Sequence, residues 1–326
     1  RESLLQLFPS QDFSNLNLEV DSYLLDLNAI IHPVCQKMYN YGSKKDRMLH
    51  RKNRIPNEKQ VFSELCKTID DLKNLVNPRK QLYIAIDGVA GMSKAVQQRA
   101  RRFKSSKERD PNQIFDSNKI TTGSEFMYNL SKYIHIFIKN KMENDISWAN
   151  IEVIFSNEKV EGEGEHKLIH HIKNNRTYGI DMVYCIHSPD ADLIMQTVGI
   201  REEIYILREN IYDNLPFKYF IVNVGIFRNI IIKQLKWSSE IKKYNEDQVV
   251  YDFVLMCFLL GNDFLPHIPS LEISNDGIEI MFSVYPDIAK KCGHIVYRNK
   301  GGDLCLNTES LFMIFKKISD MEKELL

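Results

Sequence analysis

Acidic residues stand at the carboxyl ends of three apolar, strand-like runs in this 326-residue sequence. Two further acidic clusters lie in glycine-containing segments, one before a predicted helix and one after another. The carboxylates at these positions are Asp26, Asp87, Glu163, Glu165, Asp190, Asp192 and Asp263. The carboxyl ends of parallel strands meet at one edge of a sheet, where ligand sites gather. We therefore predict that these side chains converge on one site.

Convergence of seven carboxylates is strongly unfavourable without cations, because like charges repel one another. Hard oxygen donors with no cysteine nearby favour Mg²⁺ or Mn²⁺ over zinc. Two such ions are the usual apparatus for hydrolysing a phosphodiester, because one activates water and the other stabilises the leaving oxygen. The pattern therefore predicts a phosphodiesterase site that holds two metal ions.

Each acidic residue also has a plainer interpretation when it is considered alone. Asp26 or Asp192 could cap the helix that follows it. Glu163 and Glu165 could be first-turn acids favoured by the helix dipole, and Asp263 could be a turn residue. The metal-site hypothesis therefore depends on a tertiary structure that brings the strand ends together.

A second group of residues has the chemistry of a phosphate site. Lys94, Gln98, Arg101 and Arg102 are spaced i, i+4, i+7 and i+8, which places them on one face of a predicted helix. Three cations and an amide donor on one stripe could bind a terminal phosphate, whereas a solvated basic face is the alternative. The predicted helix begins six residues after Asp87. We therefore expect this face to border the acidic site and to anchor a 5′-phosphate.

The composition excludes a generally basic protein, and the apolar pattern excludes a transmembrane helix. Lys and Arg together number 43, as do Asp and Glu, so any nucleic-acid site must come from local charge. The longest apolar run, residues 253–260, is too short to span a membrane, and no secretory signal opens the sequence. The six cysteines occur singly, which is typical of reduced thiols in an intracellular protein without structural zinc.

Strand-like runs alternate with helical patterns over the first two thirds of the sequence. The predicted strands cover residues 23–27, 81–86, 151–155, 182–186 and 204–207, and the predicted helices cover residues 58–75, 93–107, 124–142 and 165–174. This alternation predicts an α/β fold with a mostly parallel central sheet flanked by helices. Residues 224–326 are predicted to be mainly helical, and residues 247–260 form the most apolar helix.

Five stretches of the sequence, in order and over nearly its whole length, resemble the Xrn family of 5′→3′ exoribonucleases, specifically its first conserved region. They are DLNAIIHP (26–33), IDGVA with KAVQQRARRFKSSKE (86–108), VEGEGEHKL (160–168), DADLIM (190–195) and DFVLMCFLLGNDFLPHIPSLEI (252–273). The resemblance implies a metal-dependent 5′-nuclease fold of the PIN/FEN-like type. It implies a single nuclease domain over 1–326, with an α/β core (1–223) and a helical part (224–326) that carries GNDFLP. We expect the family's second conserved region to lie outside this sequence.

The resemblance also implies roles for individual residues. The seven carboxylates fall on the family's metal-site positions, and Lys94, Gln98, Arg101 and Arg102 fall on its 5′-monophosphate pocket. His32 falls on a histidine that stacks against the first base, with Asn28 beside it in the same motif. The implied cofactor is Mg²⁺ or Mn²⁺, as two ions.

The implied activity is hydrolysis of single-stranded, 5′-monophosphorylated RNA to nucleoside 5′-monophosphates, in mRNA decay or RNA processing. The second conserved region and decapping factors are the further partners that the resemblance implies. We expect an intracellular location, in the cytoplasm, with the nucleus as the alternative. Two alternatives stay open: a non-catalytic RNA-binding or scaffolding module that kept the fold, and a DNA- or flap-directed 5′-nuclease.

Overall fold

The structure is a computed structural model, and the chain divides in it into two compact units. The described residues of the sheet unit lie within Ser10–Leu193 and Glu202–Val222, and those of the helical unit lie within Ile194–Arg201 and Asn223–Leu326. The residues that the structure describes are 11–12, 18–42, 55–108, 113–209, 218–235, 244–262, 265–269, 271 and 277–325. The prediction of a single domain over 1–326 stays a prediction.

The described strands of the sheet unit form one seven-stranded sheet in the order β1-β7-β6-β5-β2-β3-β4. Its strands are β1 (Gln11–Asp12), β2 (Ser22–Asp26), β3 (Gln81–Ala85), β4 (Glu152–Ser156), β5 (Tyr184–His187), β6 (Ile204–Glu209) and β7 (Tyr219–Asn223). The pairs β2–β3, β2–β5, β3–β4 and β5–β6 are parallel, and β1 pairs antiparallel with β7. The predicted mostly parallel central sheet is therefore confirmed.

Helices flank this sheet, as the alternation predicted. They are α1 (Asn28–Tyr39), α2 (Glu58–Val76), α3 (Met92–Lys107), a 3₁₀-helix (Ser117–Lys119), α4 (Glu125–Asn144), α5 (Ile146–Ala149), α6 (Gly164–Thr177) and α7 (Asp192–Val198), the last of which begins in the sheet unit. Helices α1, α2 and α4 share one buried apolar core with alternate residues of β2, among them Tyr23 and Leu25. Leu168 and Ile172 of α6 are also fully buried, and α6 packs on β2 and β3.

Helix α1 was not among the predicted elements, because Pro33 lies inside it and proline normally interrupts a helix. The helix forms nevertheless, since Ile30, Ile31, Val34 and Cys35 repeat at helical spacing and are all buried. Tertiary packing of this face thus outweighs the one backbone hydrogen bond that Pro33 cannot donate. The five strands and four helices that were predicted in this unit differ from the observed ones by only a few residues at their ends.

The described part of the helical unit contains α8 (Val224–Gln234), α9 (Glu246–Leu259), α10 (Gly277–Cys292), β8 (Val296–Arg298), β9 (Leu304–Leu306) and α11 (Thr308–Leu325). Phe227, Phe253 and Phe282 pack α8, α9 and α10 together, with ring centroids 6.2 and 5.9 Å apart. Strands β8 and β9 form an antiparallel pair that the sequence pattern did not predict. None of the described helices is long and apolar enough to cross a membrane.

Candidate functional site

A cavity of about 900 Å³ opens in the sheet unit at the carboxyl edge of the sheet. Strand β2 lies between β3 and β5 in parallel register, so Asp26 and the residues after β3 and β5 reach the same edge. Five of the seven predicted carboxylates line this cavity: Asp26, Asp87, Glu163, Glu165 and Asp190. The structure therefore brings together the acidic ends of three neighbouring strands and the start of α6.

Asp26 lies at the centre of this acidic cluster. Its Oδ1 accepts a hydrogen bond from the backbone N–H of Asn28 at 3.1 Å, which also caps the start of α1. Burial, followed by the nearby carboxylates of Asp87, Glu165 and Asp190, raises the pKa of Asp26 well above its usual value. Capping and membership of the acidic cluster are thus compatible roles for the same side chain.

Two glycines allow the segment 160–164 to approach the loop after β3. Gly88 donates its N–H to Gly162 O at 2.8 Å, and a Cβ at Gly88 would lie 1.7 Å from the Val160 carbonyl oxygen. A Cβ at Gly164 would lie 2.7 Å from Asp26 Oδ1. Both contacts are closer than real Cβ atoms allow, so glycine at each position is required for the observed approach of Glu163 and Glu165.

Asp87 is held by the first turn of α6. Its Oδ1 accepts the backbone N–H of Gly164 at 2.6 Å, a contact between residues 77 positions apart in the sequence. Burial raises the pKa of Asp87, and the Glu163 carboxylate raises it further, while Gly164, Asn28 and Lys167 act in the opposite direction. Asp87 therefore connects the end of β3 to the residues that begin α6.

Lys167 is a site residue that the sequence analysis did not single out. Its buried ammonium donates to the backbone carbonyls of Ile86 at 2.7 Å and Asn157 at 3.0 Å, which follow β3 and β4. Burial lowers the pKa of Lys167, whereas Asp87 and Glu158 raise it. The only sequence signal was its place in VEGEGEHKL, since a lysine in a helix usually lies in solvent. Lys167 fixes two strand ends beside the acidic cluster.

The predicted phosphate face of α3 also lines the cavity, with all four of its members, Lys94, Gln98, Arg101 and Arg102. Arg102 Nη2 donates to Gln98 Oε1 at 3.2 Å. Lys94 is the buried member of this set, and it forms an ion pair with Glu163 at 2.8 Å. The basic face and the acidic cluster therefore meet directly at the Lys94–Glu163 pair.

The two remaining carboxylates are placed differently. Asp190 Oδ1 accepts the N–H of Asp192 at 3.0 Å, so Asp190, rather than Asp192, caps the start of α7. Asp192 is the first residue of α7 and is not among the residues that line the cavity. Asp263 lies outside the described residues. The assignment of all seven side chains as metal ligands stays a prediction.

His32 and Asn28 lie on the cavity side of α1. Asn28 Oδ1 is buried and has no hydrogen-bond partner in the part of the chain that the structure describes. His32 is exposed on the same helical face one turn later. The placement of both residues beside the acidic cluster agrees with the substrate-binding prediction, which itself stays untested.

The chemistry of these side chains can be compared with what a divalent cation requires, which is several oxygen donors. Within the described ranges, no three His, Cys, Asp or Glu side chains already converge on one point. The donor set nevertheless fits a hard cation, because Asp26 is surrounded by like charges and the buried Asn28 oxygen lacks a donor. A cation would relieve both features, and Asp26, Asp87, Glu165 and Asp190 are the residues that would hold it.

The fold and the site thus define an α/β protein with an acidic centre and an adjoining basic helix at the carboxyl edge of its sheet. The family described as the XRN 5'-3' exonuclease N-terminus matches residues 3–210, and the Xrn1 helical domain matches residues 243–326. The chain belongs to the XRN family.

Several relatives are similar to this chain. The 5'-3' exoribonuclease 1 of Schizosaccharomyces pombe is 32% identical over 94% of this chain and 24% of its own length. The 5'-3' exoribonuclease 2 homolog of Caenorhabditis elegans is 30% identical over 94% of this chain and 36% of its own. The chain therefore spans about a quarter to a third of the length of these relatives.

The chain is also similar to solved structures. The catalytic core of Rad2, solved in complex with DNA substrate, aligns with 89% of this chain and 67% of its own, at a TM-score of 0.45 and 13% identity.

Proposed function

We propose that this protein is a metal-dependent 5′→3′ exoribonuclease that removes nucleotides one at a time from RNA with a 5′-monophosphate. The observation that carries the proposal is the junction of two opposite chemistries in one cavity, where Lys94 of the basic face meets Glu163 of the acidic cluster. A phosphate bound on the basic face would place the next phosphodiester beside the carboxylates. The family of the chain and the names of its relatives support the same reaction.

The residues of this chain would divide the work as follows. Arg101 and Arg102 would bind the terminal phosphate through their forked guanidinium groups, with Gln98 as a neutral donor. His32 would stack on the terminal base, a contact that tolerates any sequence. A cap or a triphosphate would be disfavoured, because each is larger than a monophosphate and the neighbouring carboxylates oppose additional negative charge.

Asp26, Asp87, Glu165 and Asp190 would hold the metal. We propose that two ions bind there, either Mg²⁺ or Mn²⁺. When bound, such ions supply an activated water and stabilise the leaving oxygen. Lys167 would keep the ends of β3 and β4 in place beside Asp87 while the carboxylates bind. No side-chain nucleophile is required by this division of roles.

The biological setting is proposed from the sequence and the family alone. We propose that the activity serves mRNA decay or RNA processing inside the cell, in the cytoplasm, with the nucleus as the alternative. The second conserved region and decapping factors are the proposed partners.

The test uses one RNA sequence, end-labelled, with a 5′-monophosphate, a 5′-triphosphate or a 5′-hydroxyl, in Mg²⁺ and in EDTA. We expect mononucleotides to be released only from the monophosphate RNA and only with Mg²⁺. A matched DNA strand tests the DNA-directed alternative, and equal rates on both strands would contradict the proposal. Asp181→Asn is the charge-matched control for the active-site variant Asp26→Asn. Asp181 is suitable because it is exposed and does not line the cavity.

Binding of the monophosphate RNA without any hydrolysis, in Mg²⁺ or in Mn²⁺, would contradict the enzymatic proposal. That outcome would favour the alternative of a non-catalytic RNA-binding module. Hydrolysis of all three RNAs at one rate would retain the nuclease activity but would remove the proposed 5′-monophosphate pocket.

A further inference from the structure

The cavity extends to both sides of the acidic cluster. On one side is the basic face of α3, which joins the cluster through the Lys94–Glu163 pair. The other side is formed by the carboxyl ends of β5 and β6 and by β7. We call this side the β6 end, and its members are His187, Ser188, Pro189, Arg208, Glu209 and Phe220.

The β6 end contains a cation that is separate from the basic face. Every other lysine or arginine that lines the cavity in the described chain belongs to α3, whereas Arg208 lies near the end of β6. Strand β6 is two strands from β2, on the side away from β3, so its end lies about 10 Å from the end of β2 at Asp26. The edge of the sheet therefore presents a basic face, then carboxylates, then a second cation.

Arg208 is attached to the loop that carries Asp190. Its Nη2 donates to the backbone carbonyl of Pro189, the residue before Asp190. The same loop is shaped by Ser188, whose Oγ accepts the N–H of Asp190 at 3.2 Å. The guanidinium group is thus held next to one of the carboxylates of the acidic cluster.

The contact with Pro189 leaves most of the guanidinium donors unused. An arginine has five N–H donors, and the hydrogen bond of Arg208 within the described residues occupies Nη2 alone. No carboxylate of the described chain forms an ion pair with Arg208, and its neighbour Glu209 pairs with Lys218 at 4.0 Å. Because the side chain is only half-buried and lines the cavity, its remaining donors are available to an anion.

An aromatic ring accompanies this cation. Phe220 of β7, the neighbour of β6 in the sheet, is half-buried and lines the same part of the cavity. Grooves for single-stranded nucleic acid combine cations that bind the backbone with aromatic rings on which bases stack. The β6 end contains one of each.

We propose that Arg208 binds the phosphate that follows the scissile phosphodiester of the RNA. The proposal rests on the proposed function, in which the terminal phosphate lies on α3 and the next phosphodiester lies beside the carboxylates. The strand would then continue across the edge of the sheet towards β6, where Arg208 offers the next positive charge. Phe220 would provide an apolar surface for a base of this downstream segment.

The test uses one 5′-monophosphate RNA sequence in three forms. The first form is unmodified, the second carries a neutral methylphosphonate at the phosphate after the first scissile bond, and the third carries it several nucleotides further downstream. The measured quantity is kcat/KM for release of the first nucleotide. For the parent chain, we expect the second form to be about tenfold worse than the first, because one charge-assisted contact is lost, and the third form to differ much less.

Arg208→Ala should lower kcat/KM on the unmodified RNA about tenfold as well. The methylphosphonate of the second form should then cause no further loss, because both changes remove the same interaction. Arg208→Lys, which keeps the charge but not the forked donors, should recover part of the rate, and it keeps the test decisive if the alanine variant fails to fold. If Arg208 serves only to hold Pro189, the variants lose rate equally on all three forms, and that outcome overturns the proposed contact.

Arg176→Ala is the matched control. Arg176 is exposed, pairs with Glu202 at 3.3 Å and does not line the cavity, so its variant should match the parent on all three forms. Variants of Arg208 that behave like this control also overturn the contact. A parent chain that fails to hydrolyse the unmodified RNA overturns the proposed function itself, so the two failures are distinguishable.

Discussion

The two units of this protein each contain a carboxylate that is fully or partly withdrawn from solvent, in very different surroundings. In the helical unit, Asp252 is 0% exposed and accepts hydrogen bonds from Tyr285 Oη at 2.6 Å, His294 Nδ1 at 2.9 Å and Val296 N at 2.6 Å. In the sheet unit, Asp26 accepts one backbone hydrogen bond and is surrounded by three other carboxylates. One acid thus has only donors around it, and the other has mainly like charges.

The Asp252 network is complete in itself. His294 Nε2 accepts a hydrogen bond from the backbone N–H of Asn245 at 3.0 Å, so the ring proton is on Nδ1. Nδ1–H therefore donates a hydrogen bond to Asp252. Asp252 thereby connects α9 to α10 through Tyr285 and to β8 through Val296. Because every oxygen has a donor, this carboxylate stabilises the fold and leaves no acceptor for a ligand.

The comparison shows that burial alone does not identify a functional acid. The type of neighbour does, because donors satisfy a carboxylate whereas like charges leave it in need of a cation. The predictions below test this difference between the two units.

The largest expected effect is that of Asp26→Asn on activity. Loss of one ligand charge should lower the hydrolysis rate on the order of 10³-fold, since several kcal/mol of transition-state stabilisation depend on the bound cations. The free energy of unfolding in EDTA should rise, because one of the repelling charges is gone. Single-turnover hydrolysis and urea unfolding measure the two quantities, and a drop in stability would contradict the assignment.

Asp252→Asn should show the opposite pattern. The amide places a second donor against Tyr285 or His294, so the free energy of unfolding should fall by about 2–4 kcal/mol. Urea unfolding monitored by circular dichroism gives this value, with the exposed Asp303→Asn as the control. A loss as small as that of the control would mean that the network is not structural.

His187, at the end of β5, provides a pH-dependent test of a buried group that is kept neutral. Its Nδ1 lies 3.0 Å from Tyr23 Oη, and burial lowers the pKa of His187 from 6.5 to about 4, with Lys218 as a smaller cause. The unfolded chain therefore binds a proton first as pH falls, so stability is full above pH 6.5 and declines between 6.5 and about 4.

His187→Gln retains an acceptor for Tyr23 but cannot take up this proton. Between pH 6.5 and about pH 5, the parent should lose about 2 kcal/mol of stability more than the variant. Urea unfolding at a series of pH values measures the difference. Equal pH slopes for the two proteins would contradict the neutral state of His187.

Lys167→Met should lower activity more than it lowers stability. The variant leaves the carbonyls of Ile86 and Asn157 without their shared donor, so the strand ends beside Asp87 are no longer joined. Substitution of residues that support metal ligands typically lowers activity about 10–100-fold. Lys167→Arg, which keeps the donors, should recover part of the rate. The hydrolysis rates and Tm values of both variants test this prediction. A lysine with a purely structural role would lower the rate and the Tm in parallel.

The smallest effect expected is a change in selectivity. Arg101→Ala should reduce kcat/KM for 5′-monophosphate RNA about tenfold and change kcat/KM for 5′-hydroxyl RNA much less, because it removes one charge-assisted contact. Competition between the two RNAs in one reaction measures this ratio directly. Equal losses on both substrates would make the basic face a general backbone contact.

Much of the α/β architecture was predictable because its signals are local. Alternation of apolar runs located the five predicted strands to within a few residues, and glycine and acidic residues marked their ends. Helix α1 and the β8–β9 pair were missed, since Pro33 and the short length of the strands conceal them locally. For α1, packing against distant residues decides the structure, whereas β8 and β9 are three-residue strands that pair locally as a hairpin.

The sequence by itself determined which residue types were available for chemistry: acids at strand ends and cations at helical spacing on α3. Only the tertiary structure decided which of them share a cavity, that Lys94 pairs with Glu163, and that Asp190 rather than Asp192 caps α7. It also decided that Lys167 joins the ends of β3 and β4 beside the acidic cluster. The reason is that a side chain's charge and shape are local, whereas its neighbours come from strand order and loop contacts, such as that of Asp87 with Gly164. Those neighbours distinguish the carboxylates of the cavity from the self-contained Asp252.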